Sequence, residues 1–528
     1  MPTDAETPEY VTDVPYVRSF VADLSPARLR LVAALNGFPQ PPARDFDYCE
    51  LGSGHGDTTA TLAAACPDAR FVGVDFNAEH IASSCASAEK GGLHNVRFLE
   101  RDFEDLGKEV LPDFDFLAAH GVLSWVGPAK RKAIIDFAAS KLKPGGLFYV
   151  GYNALPGWAS IEPLRRLILD RAAASGASGT ATARDSVEGA RQGLQFAKRL
   201  RDSGAAYFKN NPPARDMLAT MEKAGLPYIV HEYMNAHWTP MYFTQVAEQM
   251  AAGELYFVGQ FPLFLNYRDL AIPPPLTPMF QEVTDRITYE TLKDYALDQY
   301  FRCDVFVKGR APRSDATTQA YLDATPFGAL LEDGSVAPEV RLPHYTLQFT
   351  GPLFDALLPA LAEQACTVEA LAARPELAAF GARPIRDAVL RLALAGRVAP
   401  MLASTAPPAA AVPEPDATFR VVSAHNRRVL KEPLEKNRPI VLASTIAGTG
   451  LSIAMLEAVA IRLLTEVAPE GRPVWIRALF QRQPFRLIVK DRPIDDADEL
   501  VRVVLDEVTR VRTQRVGRLL ALGILAHD

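Results

Sequence analysis

Asp47-Tyr48-Cys49-Glu50-Leu51-Gly52-Ser53-Gly54-His55-Gly56 decides the fold of this chain. It reads as a short strand entering a turn with glycine at every second position: Gly52, Gly54 and Gly56. A dinucleotide-binding turn would read G-x-G-x-x-G and would offer a pyrophosphate the N-terminus of a helix. The E-x-G-x-G-x-G order has no such phosphate logic. Because glycine lacks a Cβ, this turn lets backbone pass close beneath a bulky, zwitterionic ligand that carries no phosphate.

The following segments agree with that reading. Ala69–Val74 is apolar and ends in Asp75, placed to accept both hydroxyls of a ribose at the tip of a second strand. Phe76 follows it directly. Val96–Glu100 is a third strand leading into Asp102-Phe103, a pair that suits adenine: the carboxylate accepts from the exocyclic amine and the ring stacks. Phe114–Ala119 is a fourth strand, and Lys143-Pro144-Gly145-Gly146 turns into a fifth, Leu147–Val150. Helical stretches at Asp57–Ala65 and Ala129–Leu142 alternate with these strands, which predicts an α/β, doubly wound parallel sheet. Ligands in such sheets sit at the carboxyl ends of the strands, where these acids and glycines fall.

Length and composition describe a multidomain protein. The chain has 528 residues, 48% of them hydrophobic, and a net charge of -7, so no global field favours nucleic acid or an anionic membrane. Met1–Tyr10 is polar and acidic, without the basic and apolar regions of a signal peptide, and no apolar run is long enough to span a bilayer. The five cysteines, Cys49, Cys66, Cys85, Cys303 and Cys366, form no C-x-x-C pair, so neither a zinc site nor a disulfide framework is expected. A reducing cytoplasm is the expected compartment.

Composition shifts divide the chain. Residues 1–159 form the ligand-binding domain with an N-terminal arm, in which Tyr16 and Phe20 cover either the ligand edge or the sheet edge. Residues 160–310 read as a mainly helical middle domain, with helix-like apolar spacing over Tyr242–Val258 and Phe280–Phe301. Residues 311–402 resemble a winged-helix domain of three short helices and a strand; Arg383, Arg386 and Arg391 on its third helix raise DNA binding, but a protein-docking module is favoured. An Ala/Pro-rich linker covers 403–418, and 419–528 forms a C-terminal α+β domain.

Three further motifs carry a family resemblance. They are His120-Gly121-Val122-Leu123-Ser124-Trp125-Val126 after the fourth strand, Tyr152-Asn153-Ala154-Leu155-Pro156-Gly157-Trp158 after the fifth, and His231–Phe243. With the glycine turn, the chain resembles class I S-adenosylmethionine-dependent methyltransferases that carry a methyltransferase regulatory domain, a group that includes rickettsial protein lysine methyltransferases. The likeness is strong over Tyr10–Lys308 and thin beyond. Ser53 and His55 stand where the family often shows cysteine and an acid, which leaves the backbone role of the turn intact. The resemblance implies S-adenosylmethionine as cofactor, held by Tyr16, Glu50, Gly52, Gly54, Gly56, Asp75, Phe76, Asp102, Phe103 and His120. It also implies a protein lysine as acceptor.

Methyl transfer is an in-line displacement that needs a neutral nucleophile aligned about 3 Å from the methyl carbon. A lysine must first lose a proton from a group of pKa about 10.4, and an apolar, aromatic channel assists by disfavouring the ammonium. His120, Trp125, Tyr152 and Asn153 are the candidate walls of that channel. Two of them have a structural alternative: His120 as a hydrogen-bonded histidine after a strand, and Asn153 as an asparagine satisfying loop backbone. The two histidines of His231–Phe243 lie six residues apart, not the four of a helical zinc pair, so the motif reads as an interdomain seam or a cleft wall, with no metal. The expected partner is a protein substrate, without nucleic acid or membrane. A small-molecule N- or O-methyltransferase and a non-catalytic cofactor-binding protein are the competing readings.

Overall fold

The computed structural model describes residues 18–174, 183–235, 237–330, 338–404, 417–435, 440–482, 487–489 and 492–528. Tyr16 lies outside the described residues. Five strands run in parallel: β1 (Asp47–Leu51), β2 (Arg70–Asp75), β3 (Val96–Glu100), β4 (Phe114–Ala119) and β5 (Leu142–Asn153). Two more, β6 (Leu255–Phe261) and β7 (Phe301–Lys308), complete a seven-stranded sheet of order β3-β2-β1-β4-β5-β7-β6. β7 is antiparallel to both neighbours, with Leu147 opposite Val307 and Asn153 opposite Phe301.

The period-two alternation of the strands sorts their side chains between two cores. Tyr48, Phe71, Phe116 and Tyr149 face a helix α1 (Pro26–Leu35) and helix α2 (Asp57–Ala65). Cys49, Val72, Leu117 and Phe148 face the opposite way, against α4 (Pro128–Lys141). Helix α3 (Ala78–Lys90) is started by Asn77, whose side chain accepts from the Glu79 and His80 amides, the usual satisfaction of orphan donors at a helix N-terminus.

The region expected to form a separate middle domain divides in two. The helices Glu162–Ala174, Ala183–Asp202, Pro212–Ala224 and Leu226–Tyr233 enclose their own core around Leu164, Ile168, Leu218 and Ile229. The remainder returns to the sheet as β6 and β7. The expected helix over Tyr242–Val258 is helical only across Phe243–Ala252, after which Leu255 begins β6. Residues 311–402 contribute the helices Asp315–Ala324, Pro352–Glu363, Val368–Ala372 and Ala382–Leu394 and pack on the α1 side of the sheet. On the last of these, Arg386 forms a double contact of 2.7 Å with Asp323, and Arg391 reaches Asp269 at 2.7 Å. Carboxylates therefore match two of the three arginines that the sequence offers as a basic face.

The last unit is docked on the sheet domain. Its hairpin, Ile440–Ser444 with Thr449–Ile453, lies against α2, and the Cys66 thiol donates to the Gly448 carbonyl at 3.8 Å. A Cβ on Gly450 would fall 2.7 Å from both the Phe20 ring and the Thr61 methyl, so glycine allows this close approach.

A buried charge cluster fastens β7. Arg302, fully buried, donates to Asp304 at 2.8 Å, to Glu290 at 3.1 Å and to Asp294 at 2.5 Å. Lys293 reaches Glu290 at 2.7 Å, and the Tyr152 hydroxyl donates to Asp304 at 2.6 Å. Burial pushes the Asp294 carboxyl up to about 6, whereas the surrounding carboxylates hold Arg302 firmly charged. Arg302→Met strips these three acids of their shared guanidinium and should destabilise the protein by about 3–5 kcal/mol. Urea denaturation checks this; an unchanged midpoint would mean that the cluster is dispensable.

Candidate active site

A cavity of about 240 Å³ opens at the carboxyl ends of β1, β2 and β4. The glycine turn forms one edge. Gly52, Gly54 and Gly56 have φ of 77°, 53° and 69°, the left-handed region that glycine adopts without strain. They differ in what lies above them. A Cβ on Gly52 would strike Val122 at 2.5 Å and one on Gly56 would strike Phe98 at 2.6 Å, but one on Gly54 would meet nothing within 4 Å. Gly54 is thus the point where bare backbone faces the cavity.

Asp75 is fixed by backbone: one carboxylate oxygen accepts from the Gly54 amide and the other from the Asn77 amide, each at 2.9 Å. This links the tip of β2 to the turn and leaves lone pairs on both oxygens for a ligand's hydroxyls. Phe76, 41% exposed, lies beside it in the cavity lining. Asp102 accepts from the Glu104 amide at 3.1 Å and pairs with Lys130 of α4. Phe103 packs next to it as cavity wall.

Glu50 is buried at the floor, where its carboxylate accepts from the Thr59 hydroxyl. Burial pushes it up to about 7, with Asp75 and Asp57 adding to the effect. Arg18 pairs with Asp57 at 3.0 Å, and Ser19 and Val21 continue the wall. His55 and His80 meet at the edge in a tilted contact, ring centroids 4.4 Å apart.

On the far side stand His120, Val122, Trp125 and Val126. The His120 Nδ1 is 2.9 Å from the Tyr149 hydroxyl, and the Phe301 ring meets the imidazole edge-on at 5.6 Å. Burial pushes His120 down to about 4, so the ring is neutral at pH 7. His231 and Asn235, from the helical region, complete this wall.

The cavity therefore gathers Glu50, Gly52, Gly54, Asp75, Phe76, Asp102, Phe103, His120 and Trp125 from the residues singled out in the sequence. Gly56 supports the turn from behind. Tyr152 and Asn153 are placed elsewhere. Tyr152 is fully buried with its hydroxyl donating to Asp304, and Asn153 is buried with its backbone N–H donating to the Ser124 hydroxyl at 2.8 Å. His231–Phe243 is both wall and seam: His231 and Asn235 face the cavity, whereas Trp238 meets Trp158 edge-to-face at 4.7 Å in the helical core. Sequence reasoning missed Arg18, Asn77, His80 and Lys130; only Asn77, a helix cap directly after the Asp75 tip, had a local signal. Among the described residues no group of three or more His, Cys, Asp or Glu is placed to hold a metal. Likewise, no described helix is long and apolar enough to cross a membrane.

Comparison with known proteins agrees with this geometry. Residues 49–148 match a methyltransferase domain, and residues 226–308 match a predicted methyltransferase regulatory domain. An uncharacterized protein of Synechocystis is 27% identical over 517 residues, covering 98% of this chain and 99% of that protein. An uncharacterized protein of Rickettsia prowazekii is 26% identical over 55% of this chain and 51% of its own length. Among solved structures, PKMT2 from Rickettsia typhi in complex with AdoHcy superposes with a TM-score of 0.72 at 19% identity, covering 96% of this chain and 100% of that one. The chain thus carries a stretch that matches a methyltransferase domain, followed by one that matches a predicted methyltransferase regulatory domain and supplies two strands of the same sheet.

Proposed function

We propose that the protein transfers a methyl group from S-adenosylmethionine to a lysine side-chain amine of a protein. The observation that carries the donor is the cavity: bare backbone at Gly54, Asp75 with lone pairs to spare, and Asp102 in a lining that also holds Phe76 and Phe103. Asp75 would hold the ribose, Asp102 the adenine amine, and Glu50 the positively charged methionine end. When bound, S-adenosylmethionine supplies an electrophilic methyl group on a sulfonium. The chain's own residues must present a neutral amine to it. Val122, Val126 and Trp125 give that side of the cavity an apolar, aromatic wall, which disfavours an ammonium. A neutral His120 adds no repelling charge, and its ring is held by Tyr149 and Phe301.

The protein acceptor is supported by three things. The acceptor-side wall includes His231 and Asn235 from outside the methyltransferase domain, as expected for a cleft between domains. Most of the chain lies beyond the cofactor residues. The Rickettsia typhi protein of the same fold bears the name PKMT2. A labelled-methyl transfer assay on cell lysate, separated into protein and small-molecule fractions, tests the reading. Label on protein lysine supports it, label in small molecules supports a small-molecule methyltransferase, and no label supports a binding protein.

Asp75→Ala should weaken S-adenosylmethionine binding by about 5- to 150-fold, the cost of about 1–3 kcal/mol for lost hydrogen bonds to a charged acceptor. Calorimetry measures it; equal affinity in both proteins would remove Asp75 from the site.

The Glu50 carboxyl gives a pH dependence. Its folded-state value, about 7, stands above the ordinary carboxyl range. Without ligand, its stabilising contribution is complete below the ordinary range and is lost as pH rises through 7. A cationic ligand prefers the ionised form, so affinity should fall as pH drops from about 8 to 6. Glu50→Gln should flatten that dependence in calorimetry, and a persisting slope would assign it to another group.

Trp125→Ala should keep cofactor affinity within about threefold and lower turnover at least about tenfold, because alignment of the acceptor is lost. Parallel binding and single-turnover measurements separate the two; equal losses in both would make Trp125 a cofactor residue only.

A further inference from the structure

The seam between the methyltransferase domain and the last unit holds a groove of about 670 Å³. Helix α3 turns Ser83, Ala86, Ser87 and Lys90 toward it, the i, i+3, i+4, i+7 positions of one face. The helix Ala424–Lys431 lies alongside and turns Ala424, Arg427, Arg428 and Lys431 toward it with the same spacing. Small side chains leave the space, and long cations line it.

Among the described residues Arg18, Lys90, Arg427, Arg428 and Lys431 stand around the groove against a single lining carboxylate, Glu432. That local field opposes the chain's net charge of -7. Some of it is compensated: Arg18 pairs with Asp57, Arg428 with Glu432, and Lys431 with Glu466 at 3.4 Å. Lys90 and Arg427 are exposed. Arg427 donates to the Val421 and Val422 carbonyls at 2.7 and 2.9 Å, which orients its guanidinium without neutralising it. Carboxylates are the natural partners of such a set, since a guanidinium binds them through paired hydrogen bonds. Among the described residues no aromatic ring lines the groove, so stacking platforms of the kind that hold unpaired bases are missing from that lining.

We propose that this groove docks an acidic segment of a partner polypeptide. The site is separate from the methyl-accepting wall, and its test involves no methyl transfer. Fluorescence anisotropy of a labelled deca-glutamate peptide, titrated with the full-length protein, should show saturable binding that weakens with salt. Lys90→Glu combined with Lys431→Glu should weaken it at least about tenfold, whereas Arg383→Glu, an exposed arginine outside the groove, should leave it unchanged. Lys90→Gln with Lys431→Gln provides a milder pair if the charge reversal disturbs folding, and equal melting temperatures show that each variant is intact. Equal peptide affinity in the wild type and the double variant overturns the proposal. Tighter binding of a deca-thymidine competitor reassigns the groove to nucleic acid. Self-association that the double variant abolishes, without peptide binding, reassigns it to a second copy of the chain.

Discussion

The arrangement of the active site depends on one buried guanidinium. Arg302 is fully buried on β7, one strand in from the sheet edge, on a strand that arrives from the regulatory region, and would be intolerable there alone. Asp304, Glu290 and Asp294 neutralise it, Tyr152 joins from β5, and Gln260 of β6 donates to Glu290 at 2.7 Å. Three neighbouring elements are thereby locked to β7. Alternation along the strand then sends the preceding side chain, Phe301, to the opposite face, where it meets His120. The ionic cluster and the His120 side of the cavity meet opposite faces of one short strand.

The cavity acids show how one pocket keeps four carboxyl groups apart in character. Asp75 is held by two backbone amides, Asp57 faces Arg18, and Asp102 faces Lys130. Glu50 is buried with a threonine hydroxyl, and among the described residues no ion pair accompanies it. Its carboxyl is accordingly pushed up toward neutrality by burial. A ligand carrying positive charge supplies what that position lacks.

The glycine turn, Asp75, Asp102 and the first five strands were legible because their signals are local: a turn that needs φ > 0, an acid at a strand tip, and apolar runs between helices. β6 and β7 were not. Leu255-Tyr256-Phe257-Val258 continues the apolar run of the helix before it, so periodicity extends the helix too far. β7 carries Arg302 and Asp304 in its interior, charges that read against a central strand until partners remote in sequence are known. The error at Tyr152 was one of parity. Successive residues of a strand face opposite sides, so Tyr149 reaches His120 while Tyr152 points into the other core. Proximity in sequence to the strand end could not decide which.

The pairing of β5 with β7 has a consequence for how such chains can be cut and recombined. Matched modules end at residue 148 and resume at 226, yet β5 is hydrogen-bonded along Leu147–Asn153 to a strand beyond the second boundary. A fragment stopping after β5 would present an open, apolar edge of unpaired amides and carbonyls, a template for aggregation. Recombination at the module boundary carries the same penalty unless the incoming segment brings a strand of matching register and a counterpart to the Arg302 cluster. The two modules are separate in sequence, but they can be inherited only as one piece.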